Sequence, residues 1–286
     1  MTFSIVAVDT EAGELGVAVA SKFPAVGVVV PWAQAGAGAV ATQSYANTSY
    51  GPAGLELMAG GRSAQEALNA VVTDDDGRSQ RQVGMADARG GAATFTGEEC
   101  LDWAGGRTGA GYACQGNILV GDQVVADMAA AFEGTDGDLI DRLVAAIVAG
   151  DRAGGDRRGR QSAALVVVRT GGGYGGYTDR YVDLRVDDHP DAPTELVRVF
   201  EAYDREILIR DDPELPATPE LVSEIQRRLS ALGRYEGETE GAYDPATRQA
   251  IADFAGELNL EGKIRDDDVI FESIVREVRD ITPQVT

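Results

Sequence analysis

The sequence predicts an α+β protein: two antiparallel sheets face to face with helix pairs outside them, followed by a small helical module. Three observations lead there. Short apolar runs joined by polar, glycine-containing turns recur up to about residue 190, which is the mark of hairpins. Helical spacing comes in pairs between those runs, so helices cover sheets and do not alternate singly with strands. A proline-rich acidic stretch then precedes a last segment that carries only helical spacing.

Ser4–Val8 and Leu15–Ala20, joined by the polar turn Asp9–Glu14, open the chain on a β-hairpin. A strand at the very start holds residue 2 inside the fold. Phe23 through Leu55 carries no charge, although 25% of the chain is charged. With Gly27, Pro31, Gly36, Gly38, Gly51, Pro52 and Gly54 in it, this stretch excludes a long helix and reads as buried strands and tight loops, the floor of a pocket. Ser63-Ala64-Gln65-Glu66 is a capping box and starts a helix. Gln82–Ala88 and Ala92–Phe95, split by Arg89-Gly90-Gly91, form a second hairpin, and Tyr112–Val120 a further strand. Val124–Phe132 and Leu139–Val148 have helical spacing. Ala163–Val168 and Tyr181–Val186 are strands around the loop Gly171–Gly176, and Thr194 is expected to cap a helix running to about Ile209. The expected domains are 1–210, a linker at 211–219 and an all-α unit at 220–286. That last unit has helices at Leu221–Leu232, from Pro245 to Phe254, and at Val269–Val278.

Composition narrows function. Acidic residues number 47 against 25 basic, a net charge of −22, which repels phosphate backbones and sets nucleic acid aside. Two cysteines, Cys100 and Cys114, and one histidine, His189, make neither a disulfide framework nor a Cys/His zinc site. No metal and no cofactor are expected. No apolar run reaches the ~20 residues of a membrane helix. The opening residues lack a basic stretch followed by a long apolar one, so a cytoplasmic location without membrane contact is expected.

An enzyme built on this chain needs a base other than histidine, because His189 falls in the polar turn Asp187-Asp188-His189-Pro190. Thr2 offers one. Removal of Met1 exposes its α-amine, whose ordinary pKa of about 7.7–8.0 lets it take the proton of its own hydroxyl near neutral pH. Such an amine needs a neighbouring cation and donors for an oxyanion. Lys22 ends the second strand of the opening hairpin and is expected to return beside Thr2. The plain alternative is that Thr2 simply follows Met1 and Lys22 is a strand-end charge.

The stretch from Thr2 to about Arg210 resembles the family known as domain of unknown function number 1028, placed among N-terminal-nucleophile hydrolase-like proteins. The resemblance rests on Thr2–Ala7, Leu15–Phe23, Gly38–Gln43, Tyr50-Gly51-Pro52, Gln115-Gly116-Asn117, Gly154–Leu165 and Tyr181–Pro190. It implies a four-layer αββα sandwich and amide hydrolysis through Thr2 by way of an acyl-enzyme, with a small amide or peptide-like substrate. It implies that Lys22 lowers the amine pKa. Ser21, Thr42, Gln43 and Asn117 become candidates for positioning and the oxyanion hole, Ser162 for orienting the amine, and Arg160 for a substrate carboxylate. Each of these could equally be a hydrogen-bonded core group or a structural ion pair. Sites of this type usually carry an acid where Ser21 falls. The rival is a non-catalytic oligomeric ligand-binding protein.

Ile225–Gly233 and Gly241–Phe254 resemble a peptidoglycan-binding module, although Phe254-Ala255 stands where Phe-Gln is usual. In a chain read as cytoplasmic, this module is expected to serve docking or homo-oligomer contacts before wall binding.

Only two of the 25 basic residues are lysines, Lys22 and Lys263, and the acids run in blocks such as Asp74–Asp76 and Asp266–Asp268. This reads as a surface adapted to high salt, where screening removes self-repulsion; the alternative is GC-rich codon usage with acidity aiding solubility. The high-salt reading predicts a Tm that climbs as sodium chloride is raised from about 0.1 M to about 2 M, where the Debye length falls below ~3 Å. A Tm indifferent to salt leaves the codon-usage reading.

Overall fold

The opening hairpin is buried on both of its faces, and the architecture follows from what covers each face. In the computed structural model, which describes residues 2–281 apart from 209 and 211, the chain divides into two compact units, Met1–Val199 and Phe200–Thr286.

The first unit begins with β1 (Thr2–Asp9) and β2 (Glu14–Ser21), followed by the single turn α1 (Val26–Val29). The uncharged stretch continues as β3 (Pro31–Gln34), β4 (Gly38–Gln43) and α2 (Tyr50–Ala59). Then come α3 (Ala64–Thr73), β5 (Gln82–Asp87), β6 (Ala92–Thr96), β7 (Gly105–Gly109) and β8 (Tyr112–Asn117). The unit closes with α4 (Gln123–Gly134), α5 (Leu139–Arg152), β9 (Ser162–Val168), β10 (Arg180–Val186) and the first part of α6 (Ala192–Tyr203).

This is a mixed α/β unit with antiparallel sheets. One has the order β10-β9-β2-β1-β8-β7 and the other β3-β4-β5-β6. β1 meets β4 and β5 of the second sheet on one side and α5 on the other, so its side chains are buried whichever way they point. This explains why the run reads as continuous Val, Ala and Ile and not as polar alternation. Gly16 lets α5 approach β2, since a Cβ there would stand 2.5 Å from Leu143 Cδ1. On the other sheet, α2 and α3 lie on β4, β5 and β6, burying Val40, Leu55, Met58, Leu68 and Met85 in one cluster.

Most elements fall where their sequence signals place them. The Ser63–Glu66 capping box forms with both reciprocal hydrogen bonds. Differences have local causes. α2 runs ten residues from Tyr50 because Pro52 falls in its first turn, where a missing N–H is no loss. For the same reason α6 starts at Ala192 with Pro193 inside the first turn, so Thr194 is helical and not a cap. A π-helical turn, Asp204–Leu208, continues it; Ile209, where the helix was expected to end, lies outside the described residues. β7 has no apolar signal in the sequence because Gly105–Gly109 forms a largely exposed edge strand.

The second unit is helical, with α7 (Pro219–Ala231) and α8 (Pro245–Glu257) capped by Thr218 and Asp244. Two corrections apply. It is not all-α, because β11 (Glu214–Pro216), from the stretch expected to be a linker, pairs with β12 (Val269–Phe271). The last helix, α9 (Glu272–Asp280), starts three residues later than expected, since Val269-Ile270-Phe271 is β-branched and aromatic. Lys263, only 3% exposed, donates to Asp212 Oδ2 at 2.7 Å and to Ser273 Oγ at 3.0 Å. Burial alone would raise the Asp212 carboxyl pKa, but hydrogen bonds from Lys263 and Ser273 outweigh it and hold the value below the ordinary range. The pair therefore stabilises the unit fully above the unfolded carboxylate pKa of about 3.9, and that stability is lost as the pH falls through the lowered folded value.

Removing one partner strands the other charge, so Asp212→Asn is expected to destabilise this unit by about 3 kcal/mol at neutral pH. In urea melts, the double change Asp212→Leu with Lys263→Met should recover most of that loss. Equal destabilisation by single and double variants would contradict this account of the pair.

Candidate active site

Cross-strand register assembles the site. Thr2 begins β1 and pairs with Ser21 on one side and Asn117 on the other; Ser21 in turn pairs with Ser162. Four neighbouring strands thus contribute one polar residue each to a single row, Ser162–Ser21–Thr2–Asn117. All four are buried. Thr2 Oγ1 lies 3.1 Å from Ser21 Oγ.

A second layer fixes this row from the facing sheet. Gln43, the last residue of β4, donates through Nε2 to the Thr2 carbonyl at 3.3 Å and to Gln82 Oε1 at 2.8 Å. Gln82 Oε1 also accepts from Asn117 Nδ2 at 2.9 Å, while its own Nε2 donates to the Gly116 carbonyl at 2.7 Å. One step deeper, Ser4 Oγ donates to Gln43 Oε1 at 2.8 Å and accepts from Gln115 Nε2 at 2.7 Å. Each amide nitrogen therefore has a named acceptor, and the network carries no net charge. Buried polar groups satisfied this fully hold one geometry.

A cavity of about 450 Å³ opens over Thr2, Gln43 and Asn117. Val26, Val29 and Val30 form one wall; Phe23, Tyr45 and Leu101 stand at it with roughly half or more of their surface exposed. The remaining wall includes Ile118 and Arg158. Arg158 is brought there by the segment 154–158, which hydrogen-bonds along 118–120, and Asp156 accepts from its Nη2 at 3.3 Å. Strain gathers at the same place. Ser44, Tyr45 and Ile118 line the cavity with φ of 57°, 48° and 50°, and Ala25, beside Val26, has φ 51°. Left-handed conformations at non-glycine residues are unfavourable and persist only when neighbours over-determine them.

The 44–47 loop shows how. Thr42 Oγ1 donates to the Asn47 carbonyl at 3.0 Å, Asn47 Nδ2 donates to Asp75 Oδ2 at 3.0 Å, and Arg81 bridges Asp75 and the Tyr45 carbonyl. The Arg81 hydrogen bond first, then Asn47 and Tyr50, hold the Asp75 carboxyl well below the usual carboxylate range. A larger hollow, about 920 Å³, opens beside Asn47, Tyr50 and Asp75. There Asn47 and Tyr50 both donate to Asp75 Oδ2.

The structure brings Thr2, Ser21, Asn117 and Gln43 together and separates four other expected residues from them. Lys22 turns from the Thr2 face: it follows Ser21, side chains alternate along a strand, and its exposed Nζ donates to the Arg160 carbonyl at 3.2 Å. Ser162 does not orient the amine. Its hydroxyl donates to the Phe23 carbonyl and accepts from Val26 N at 3.1 Å, which staples the cavity wall. Thr42 supports the lip loop from outside. Arg160 pairs with Asp151 through Nε and Nη2 at 2.6 and 2.9 Å, so Arg158 is the arginine at the cavity. Ser4, Gln82 and Gln115 were missed. Their signal was the one that marked Thr42 and Gln43, a polar residue inside an apolar strand. His189 accepts from Asp191 N in its turn, away from Thr2. Among the described residues no group of three or more His, Cys, Asp or Glu side chains is placed to hold a metal, and no helix is long and apolar enough to cross a membrane.

Gly84 lies under this network, where a Cβ would stand 2.1 Å from Gln115 Oε1. Gln115 can yield only by leaving Ser4 and Thr94. Gly84→Ala is therefore expected to lower stability by about 1–3 kcal/mol in denaturant melts. An unchanged midpoint would mean that the network tolerates slack.

Comparison with known proteins agrees with the N-terminal motifs. Residues 2–196 match a model described as "Family of unknown function (DUF1028)", and the chain belongs to that family. Residues 207–277 match one described as "Putative peptidoglycan binding domain". A crystal structure of a Silicibacter pomeroyi protein, titled with the same first family, is 34% identical with a TM-score of 0.65, covering 71% of this chain and 86% of that one. No curated protein matches.

Proposed function

Starting from membership of this family and from the Thr2 cavity, we propose that the chain is an N-terminal-nucleophile amide hydrolase. Thr2 is its nucleophile once the residue before it has been removed; Met1 lies outside the described residues. The observation that carries this reading is a buried threonine, 6% exposed, at the first position of a central strand and on the floor of a cavity. Held by the strand and open to the cavity, its hydroxyl has both the shelter and the access that a nucleophile needs. Two facing antiparallel sheets, with α4/α5 on one and α2/α3 on the other, support the four-layer αββα arrangement that such enzymes use.

The chemistry uses one residue twice. The Thr2 α-amine takes the hydroxyl proton as Oγ1 forms a bond to the substrate carbonyl carbon. The proton passes to the leaving nitrogen as the C–N bond breaks, leaving an acyl ester on Oγ1. Water then forms the new C–O bond, the amine takes its proton, and the ester bond to Oγ1 breaks with the proton returned to the hydroxyl. Ser21, at 3.1 Å, orients Oγ1. Asn117 has one amide hydrogen on Gln82, and its amide carries a second for the oxyanion. The nearby cation is Arg158 in place of Lys22.

A second reading, a non-catalytic ligand-binding protein anchored to peptidoglycan, is favoured by the match over residues 207–277. It would move the protein to the wall side of the membrane.

Intact-mass measurement of protein from its native host should show Thr2 as the first residue. On an amide panel, Thr2→Ala should lower kcat/KM by at least about 10³-fold while leaving Tm unchanged. The rate should rise with pH as the amine loses its proton, levelling above a pKa at or below about 8. Equal turnover in wild type and Thr2→Ala would sink the assignment.

A further inference from the structure

The walls of the Thr2 cavity also say what kind of amide fits. At about 450 Å³ the space is near the small end of the range of roughly 300–1,000 Å³ for small-ligand pockets, enough for an amide and one sizeable group but not an extended peptide. Its lining is mostly apolar: Val26, Val29 and Val30 lie along it with Phe23 and Tyr45, and Leu101 and Ile118 add to them. Exposed aromatic and aliphatic side chains at a cavity are costly in water unless something apolar covers them. The opposite chemistry is equally sparse. Arg158 is the one charged residue lining the cavity, and no carboxylate does so among the described residues. A cationic substrate therefore finds no partner there, while an anionic one finds a guanidinium.

Arg158 is also built to stay. The buried Asp156 carboxylate accepts from the Arg158 backbone N–H at 2.8 Å, from Arg158 Nη2 at 3.3 Å and from the Lys22 backbone N–H at 2.8 Å. One edge of the fork is thus fixed to the end of β2, while the side chain keeps 44% of its surface exposed, and a guanidinium with five N–H donors serves more than one partner. On the hydrolase reading of Thr2, we propose that the substrate is a small amide bearing one apolar group and one carboxylate. The apolar group packs on the Val26–Val30 wall, the carboxylate on Arg158, and the scissile carbonyl lies over Thr2 between them. N-acyl amino acids are the simplest members of this class.

The test uses the full chain with Thr2 as first residue, and its Thr2→Ala variant for binding alone. The probes are N-phenylacetylglycine, N-acetylphenylalanine, their primary carboxamides, and N-acetylglycine. Calorimetry on Thr2→Ala should show at least one of the two aromatic acids binding tenfold or more tighter than its carboxamide and than N-acetylglycine. Arg158→Gln, with a circular dichroism spectrum and Tm like the parent, should erase the preference for acid over carboxamide. Arg158→Lys should keep part of it. In the unmutated protein kcat/KM should follow the same order. Acid-selective, Arg158-dependent binding without hydrolysis by the unmutated protein would keep the substrate class and overturn the hydrolase reading. Hydrolysis or binding indifferent to the carboxylate, or binding of no probe, would overturn the substrate class.

Discussion

The register that places Thr2 between Ser21 and Asn117 is the constraint on which the site depends. It is set by ladders on both sides of β1, so residue 2 cannot fray as a chain start ordinarily does. A slip of β1 by one residue would turn Thr2 onto the helix-facing side, away from Ser21 and Asn117, and put Phe3 toward the facing sheet. The apolar core thereby determines where a hydroxyl and a backbone nitrogen lie, with no chemical residue needed to hold them. The amide network of Gln43, Gln82, Gln115 and Asn117 then sets the orientation of the groups around that point. Because it is uncharged, it avoids the desolvation that buried ions would impose beside Thr2.

The strained loops around the cavity belong to the same design. Of the left-handed residues, Tyr45 is bonded by Arg81 of the 75–81 turn and Ile118 by Leu101 and the 154–158 segment. Asp75 serves as the clamp, with its carboxylate shared by Asn47, Tyr50 and Arg81. Wall and lip are thus tied to packed elements, while the side chains they present, Phe23, Tyr45 and Leu101, remain exposed. This division, rigid backbone under accessible apolar surface, suits a pocket that receives a small ligand.

Much of the fold was legible because local signals sufficed. Turn residues marked both hairpins, Ser63–Glu66 marked α3, and the uncharged stretch marked the buried strand β4. What failed were the places where a local rule has an exception: prolines inside first turns at α2 and α6, a glycine edge strand at β7, and β11, whose partner is more than fifty residues away. At the site, Thr2, Ser21, Gln43 and Asn117 could be read as polar residues in apolar strands. Which of two alternating faces a strand-end residue takes depends on pairings far along the chain. Lys22 was therefore misplaced, Ser162 shares the face of Thr2 but has its hydroxyl taken by Phe23 and Val26, and Arg158 was passed over for Arg160, two residues on. Gln82 could have been found by the rule that found Gln43.

The central claim is that the nitrogen and the hydroxyl of residue 2 act together in one sheltered cavity. A small apolar α′,β′-epoxyketone reads both at once, since the hydroxyl adds to the ketone and the free amine opens the epoxide, closing a ring with no leaving group. Tandem mass spectrometry of protein beginning at Thr2 should find one adduct of the full reagent mass on Thr2, and none in Thr2→Ala. Protein beginning at Thr2 that stays unmodified under excess reagent, or carries the adduct elsewhere, would contradict the account.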